Sequence, residues 1–170
     1  TGHQYFGLIA WQFVIMAVVL VGIGVVRGKM PPWSLRHVGV YVLIAVLGGL
    51  IPNTISYAMA VHLPAGVLSI LLSTVPLFAF PMAIWLGTDS LEWRRFAGLL
   101  CGLFCLILIV GPDNALPDPA LAVFALVALI SPVLYAAEGN VIARWGPWGL
   151  DPVQMTTGAA FVGIPLGFGL

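Results

Sequence analysis

Glu138 lies within an apolar stretch, Ala120–Ala143, six residues before Arg144. At 1.5 Å of helical rise per residue, it stands about 9 Å from that cation. An ionisable group at such depth in a bilayer costs about 2.5–3.5 kcal/mol on insertion scales, so it faces a cavity or a partner rather than hydrocarbon. Ser131, Tyr135 and Glu138 share one helical face through i, i+4 and i+7 spacing. An acid on that face can bind a solute or carry a proton; the plainer alternatives are that it reaches the headgroups or bonds a neighbouring helix.

Neutral polar groups recur in two earlier stretches. Asn53, Ser56 and Tyr57 follow Pro52, and Ser69 and Ser73 precede Pro76 and Pro81. A proline removes one internal helix hydrogen bond and frees a carbonyl, which in lipid must face protein or water. Together these residues predict a polar lining, although each serine alone is also explained by a bond to its own backbone. Gln12, Gln154, Thr156 and Thr157 suit hydrogen bonds between helices, and His3, His37 and His62 suit solvated ends. Gly98, Cys101, Gly102 and Cys105 form a stripe of small residues, a close-packing seam within a bundle or between protomers. Two thiols one turn apart, with no further ligand near, predict no metal site, and nothing points to a cofactor. No HExxH, GxSxG, Walker A or GxGxxG pattern occurs. An enzyme is not expected, because the apolar stretches offer one acid and no paired reactive group.

These groups sit in a chain of 170 residues that is 61% hydrophobic and only 7% charged, with a mean hydropathy of +1.11. Soluble domains carry roughly 25% charged residues, so a water-soluble globule is excluded. Six basic residues balance six acidic ones, which gives no reason to expect a nucleic-acid partner. The chain begins at Thr1 and ends at Leu170 within an apolar run, and is read as a piece of a longer protein.

Six continuous apolar stretches predict six membrane-spanning helices: Tyr5–Val26, Val38–Val61, Ala65–Leu86, Glu92–Val110, Ala120–Ala143 and Pro152–Leu170. All six basic residues, Arg27, Lys29, Arg36, Arg94, Arg95 and Arg144, fall in the first, third and fifth connections. A serpentine path puts those connections on one side, and the positive-inside bias makes that side cytoplasmic. Trp33, Trp93, Trp145 and Trp148 lie there too, as interfacial anchors. The Gly111–Pro119 connection carries only Asp113 and Asp118 and is the one candidate boundary between halves.

From Asn53 to Pro112 the chain resembles the drug/metabolite transporter superfamily, in particular its EamA-type members. The resemblance rests on Tyr57, Leu63-Pro64-Ala65-Gly66, Leu72-Ser73-Thr74-Val75-Pro76-Leu77, Trp85-Leu86-Gly87, Gly98 and Gly102 in that order. It departs at Thr88, where an acidic residue commonly follows the glycine; here Asp89 comes one place later.

The resemblance implies an all-α polytopic bundle of ten helices in two inverted five-helix repeats, with spans two to seven present. Residues 1–112 would be the first repeat without its first helix, and residues 113–170 the start of the second. An odd number of spans per repeat turns the second to face the other way, which suits alternating access to a midplane site.

The reading is therefore a multi-pass permease of a bacterial inner membrane that exports small metabolites, amino acids or drug-like compounds. Asn53, Tyr57, Ser69, Ser73, Tyr135 and Glu138 are its candidate substrate-binding residues, with proton coupling and a homodimer as further expectations. An uptake permease and a non-transporting membrane scaffold are the alternatives. A transporter predicts that the polar faces of the second, third and fifth spans meet around one cavity.

Overall fold

A computed structural model describes residues 3–110, 121–145 and 149–169, and side chains are described from residue 7, except those of 105–110 and 122. The Gly111–Pro119 connection with Asp113 and Asp118, the proposed boundary after residue 112, and Trp148 lie outside the described residues, as do the side chains of His3 and Cys105. The described residues are helical throughout their elements, without strands.

Helix α1 spans His3–Arg27, α2 Leu35–Ala45, α3 Ile51–Ala60, α4 Ala65–Ser73, α5 Val75–Trp85, α6 Trp93–Val110, α7 Leu121–Ala128, α8 Ile130–Trp145 and α9 Pro152–Phe168. They fall into the six stretches expected from hydropathy. Gly7–Arg27, Leu35–Ala60, Ala65–Trp85 and Val123–Trp145 are long and apolar enough to cross a bilayer. The remaining two helices, α6 and α9, have 18 and 17 residues, at the short end of the range that spans.

Prolines set the interruptions. Between α2 and α3 the chain makes a π turn at Val46–Leu50, in which the Ile51 N–H reaches back to the Val46 carbonyl. Pro52 has no N–H and its ring would strike the carbonyl of Gly48, so the extra residue per turn lets the helix continue past it. In the third stretch α4 stops at Ser73 and α5 starts at Val75, with Pro76 in its first turn. Thr74 caps the break by donating its N–H and its hydroxyl to the Leu71 carbonyl.

The chain divides into two compact units, Thr1–Thr54 with Trp145–Leu170, and Ile55–Arg144. In the first, α9 packs on α1 and α2. The contact is made by glycines on α9 facing rings. A Cβ at Gly158 would lie 2.5 Å from three atoms of the Tyr41 ring, and one at Gly163 would lie 2.7 Å from three atoms of Phe13. Without side chains at those points the backbones approach closely enough for dispersion to hold the helices in lipid, where hydrophobic driving force is absent. Tyr41 is fully buried and donates its hydroxyl to the Pro32 carbonyl at 3.0 Å.

Asp151 starts α9. Its Oδ1 accepts from the backbone N–H of Val153 at 2.7 Å and of Gln154 at 3.3 Å, while Gln154 Oε1 accepts from the Asp151 N–H at 3.0 Å. This capping box, with Pro152 at the first helical position, satisfies donors that a helix start leaves open. Asp151 Oδ2 pairs with Arg27 Nη2 at 3.3 Å, and Gln154 Nε2 donates to the Met30 carbonyl at 2.9 Å. Gln154 thus ties α9 to the connection between α1 and α2, rather than to another helix as expected. Thr156 and Thr157 bond within their own helix: their hydroxyls donate to the carbonyls of Pro152 and Val153, one turn back on α9. That acceptor is always within reach of a helical threonine, whereas a partner on another helix must be brought to it.

In the second unit, α4 packs on α6 and α7. Leu63, Val67 and Ala128 form a buried cluster with Met59, Leu71 and Phe124 around it. His62, expected at a solvated end, is exposed and stacks on Phe124 with ring centroids 4.2 Å apart.

Candidate functional site

Within the second unit the polar residues gather in two places, with Tyr135 common to both. The first is the contact between α3 and α8. Ser56 Oγ donates to Ser131 Oγ at 3.2 Å, and Ser131 is fully buried. Tyr135 is within electrostatic reach of both Tyr57 and Glu138, and all three are half-buried. The face Ser131–Tyr135–Glu138 foreseen from spacing therefore does meet the second stretch. Asn53 stands one turn before Tyr57 on the same helix.

The second place is a cavity of about 610 Å³. One wall is α5, with Val75, Pro76, Ala79, Phe80 and Ala83; α6 adds Gly98 and Leu99, and α8 adds Tyr135, Ala136, Gly139 and Asn140. Asp89 and Arg95 also line it. The Arg95 guanidinium donates to Asp89 Oδ2 at 2.8 Å and pairs with Glu92 Oε2 at 3.1 Å. The cavity is thus lined by the third, fourth and fifth stretches, not by the second, third and fifth as expected.

The reason lies in the register of α8. At roughly 100° per residue, Ala136 and Asn140 lie nearly opposite Glu138, with Gly139 and Tyr135 at intermediate angles. Small side chains at 136 and 139 leave room on one side, and Glu138 points along the other.

Ser69 and Ser73 donate their hydroxyls to the carbonyls of Ala65 and Ser69, at 2.9 and 2.8 Å. Each satisfies its own helix, the plainer reading given above. Neither lines the larger cavity; Ser73 does line a second one of about 410 Å³ with Thr74, Pro76, Gly98 and Gly102. Gly98 and Gly102 are exposed and have no neighbouring atom within 4 Å of a would-be Cβ. At these two glycines the small-residue stripe borders open space rather than a close-packed neighbour.

Two features were not foreseen. Asn140 is 6% exposed, and its Nδ2 donates to the Ala79 carbonyl of α5 at 3.0 Å and to the Ala136 carbonyl at 2.8 Å. A buried amide in an apolar stretch, with Ala136 one turn back and Gly139 beside it, was the available signal. The Asp89–Arg95 pair was hidden because Arg95 counted only toward the sidedness of its connection.

Residues 3–111 match the profile of the EamA-like transporter family. No curated protein and no solved structure matches the chain. The match covers well over half of the residues and takes in α5 and α6 of the cavity wall, while α8 lies beyond it. The chain is a multi-pass membrane protein that belongs to the EamA-like transporter family, within the drug/metabolite transporter superfamily of small-molecule transporters.

Proposed function

We propose that this chain forms part of a bacterial inner-membrane exporter that works by alternating access between inverted repeats, residues 1–112 and 113–170. The observation that carries the reading is the cavity beside the proline-broken helix pair α4 and α5. A solute needs an apolar pocket with a few polar groups, and a carrier needs a helix that bends without leaving carbonyls in lipid. Pro76 and the capped break at Thr74 meet the second requirement beside a cavity that meets the first.

Tyr57, Tyr135 and Glu138 are the residues assigned to proton and substrate handling, with Asn53 on the helix of Tyr57 and Ser69 and Ser73 on α4 as secondary contacts. Glu138 is the only acid among the described residues of the α7–α8 stretch, and Tyr135 is within electrostatic reach of it. An uptake permease would use the same parts in the opposite direction; the basic connections bear on sidedness, not direction.

The test is transport in inverted membrane vesicles that contain the protein, with an imposed pH gradient read by a fluorescent amine. Exported solutes should collapse the gradient in these vesicles and not in vesicles lacking the protein. Glu138→Gln should retain solute exchange and lose its dependence on the gradient. Proton-dependent transport that survives this substitution removes Glu138 from the mechanism, and failure of a broad solute panel to move in either direction removes the export reading.

A further inference from the structure

The cavity has a chemical preference written into one side chain. The Asn140 amide has two hydrogens, and its nitrogen faces two backbone carbonyls, Ala79 at 3.0 Å and Ala136 at 2.8 Å. A flipped amide would put oxygen against oxygen at both contacts, so the orientation is set by its surroundings. With both hydrogens committed, what the side chain has left to offer is the acceptor Oδ1, in a residue that is 6% exposed and lines the cavity.

The surrounding walls, Pro76, Phe80 and Leu99 among them, are apolar. An acceptor of a largely buried residue in such surroundings is costly to cover with a group that cannot donate to it.

We infer that Asn140 selects solutes that carry an N–H donor on an apolar body, such as primary amines or amides, and discriminates against equally apolar solutes without one. The inference rests on the transport reading and adds the substrate class. Asp89 fits the same class as a second acceptor: its Oδ1 accepts from the Ser90 N–H and its Oδ2 from Arg95, but the Arg95 guanidinium is divided between Asp89 and Glu92.

Two probes of equal charge separate donor from bulk cation: phenethylammonium, and its N,N,N-trimethyl analogue, which has no N–H. Transport of each is measured in vesicles containing the wild-type protein. The expected result is a preference of about tenfold or more for the N–H form, the order that an unsatisfied buried acceptor imposes. Asn140→Leu keeps the branching and removes the acceptor, so the ratio should fall toward one, whatever the amount of folded protein. In Asn140→Thr the hydroxyl can donate to the Ala136 carbonyl and still accept, so part of the preference should remain.

Equal rates for the two probes in the wild type overturn the inference and leave transport standing. A preference that persists undiminished in Asn140→Leu overturns it too, because size alone would then explain the ratio. Transport of neither probe overturns the inference while other solutes still move, and overturns the transport reading as well if none does. The wild-type comparison stands by itself should either variant fail to insert.

Discussion

The two compact units solve the same problem in lipid by opposite means. In the first, glycines on α9 receive Tyr41 and Phe13 so closely that no methyl group would fit, and a capping box joined to Arg27 fastens one end. In the second, prolines interrupt α4 and α5, a cavity of about 610 Å³ opens beside them, and Gly98, Gly102 and Gly139 have empty space around them. Glycine thus means two different things in one chain: a fitted notch on α9, and a gap left open on α6 and α8. The first unit is closely fitted at these points, and the second holds open space.

The strongest way to break this contrast is a methyl group at a notch. Gly158→Ala should lower stability in detergent by about 1–3 kcal/mol, the cost of overpacking. The Tyr41 ring cannot retreat while its hydroxyl is held by Pro32; thermal unfolding reads the loss, and an unchanged midpoint would show that the ring moves freely.

Acid should loosen the same unit. Partial burial disfavours the ionised Asp151 carboxyl, but the backbone N–H groups of Val153 and Gln154, and then the charges of Arg27 and Lys29, outweigh it and hold the group below its ordinary value of 3.8. A depressed folded value means that the stabilisation is present above the unfolded one and is lost as pH falls from about 4 through the folded one. Unfolding midpoints should therefore drop in that window. Asp151→Asn, which keeps a cap, should flatten this dependence, and Asp151→Ala should lower the midpoint at neutral pH as well.

In the open unit the corresponding changes should be mild. Gly98→Ala fills empty space within a helix and should be neutral or stabilising by up to about 1 kcal/mol, which a raised midpoint would register. A loss comparable to that of Gly158→Ala would show that the stripe is already packed in the working protein. Ser56→Ala removes one bond to Ser131 and should cost about 0.6 kcal/mol, the typical value between membrane helices; a much larger loss would mark the α3–α8 contact as a keystone of the unit.

Much of the fold could be read in advance because the bilayer sets segment length and the apolar runs are continuous. The third stretch was expected at Ala65–Leu86 and found as α4 and α5 at Ala65–Trp85, with its break beside Pro76. The π turn before Pro52 was not foreseen, since a proline signals only that a bond is lost, and whether a helix kinks or gains a residue depends on what packs beside it. Here Phe13 lies against Gly49.

For the site, one face of α8 was legible as Ser131, Tyr135 and Glu138, because an acid with polar groups at helical spacing stands out in apolar sequence. The cavity belongs to the other face, where Ala136, Gly139 and Asn140 matter through their small size and an amide. Space is a property of neighbours, and no single stretch announces it.

The notches on α9 also bear on synthesis. Phe13 and Tyr41 are made more than a hundred residues before Gly163 and Gly158, which receive them. At ~5–20 residues per second, the early helices wait on the order of ten seconds for their counterpart. During that interval the rings face lipid or an insertion factor, and a ribosome that stalls before α9 leaves behind an unfinished product with its most exacting joint unmade, ready for a quality-control protease.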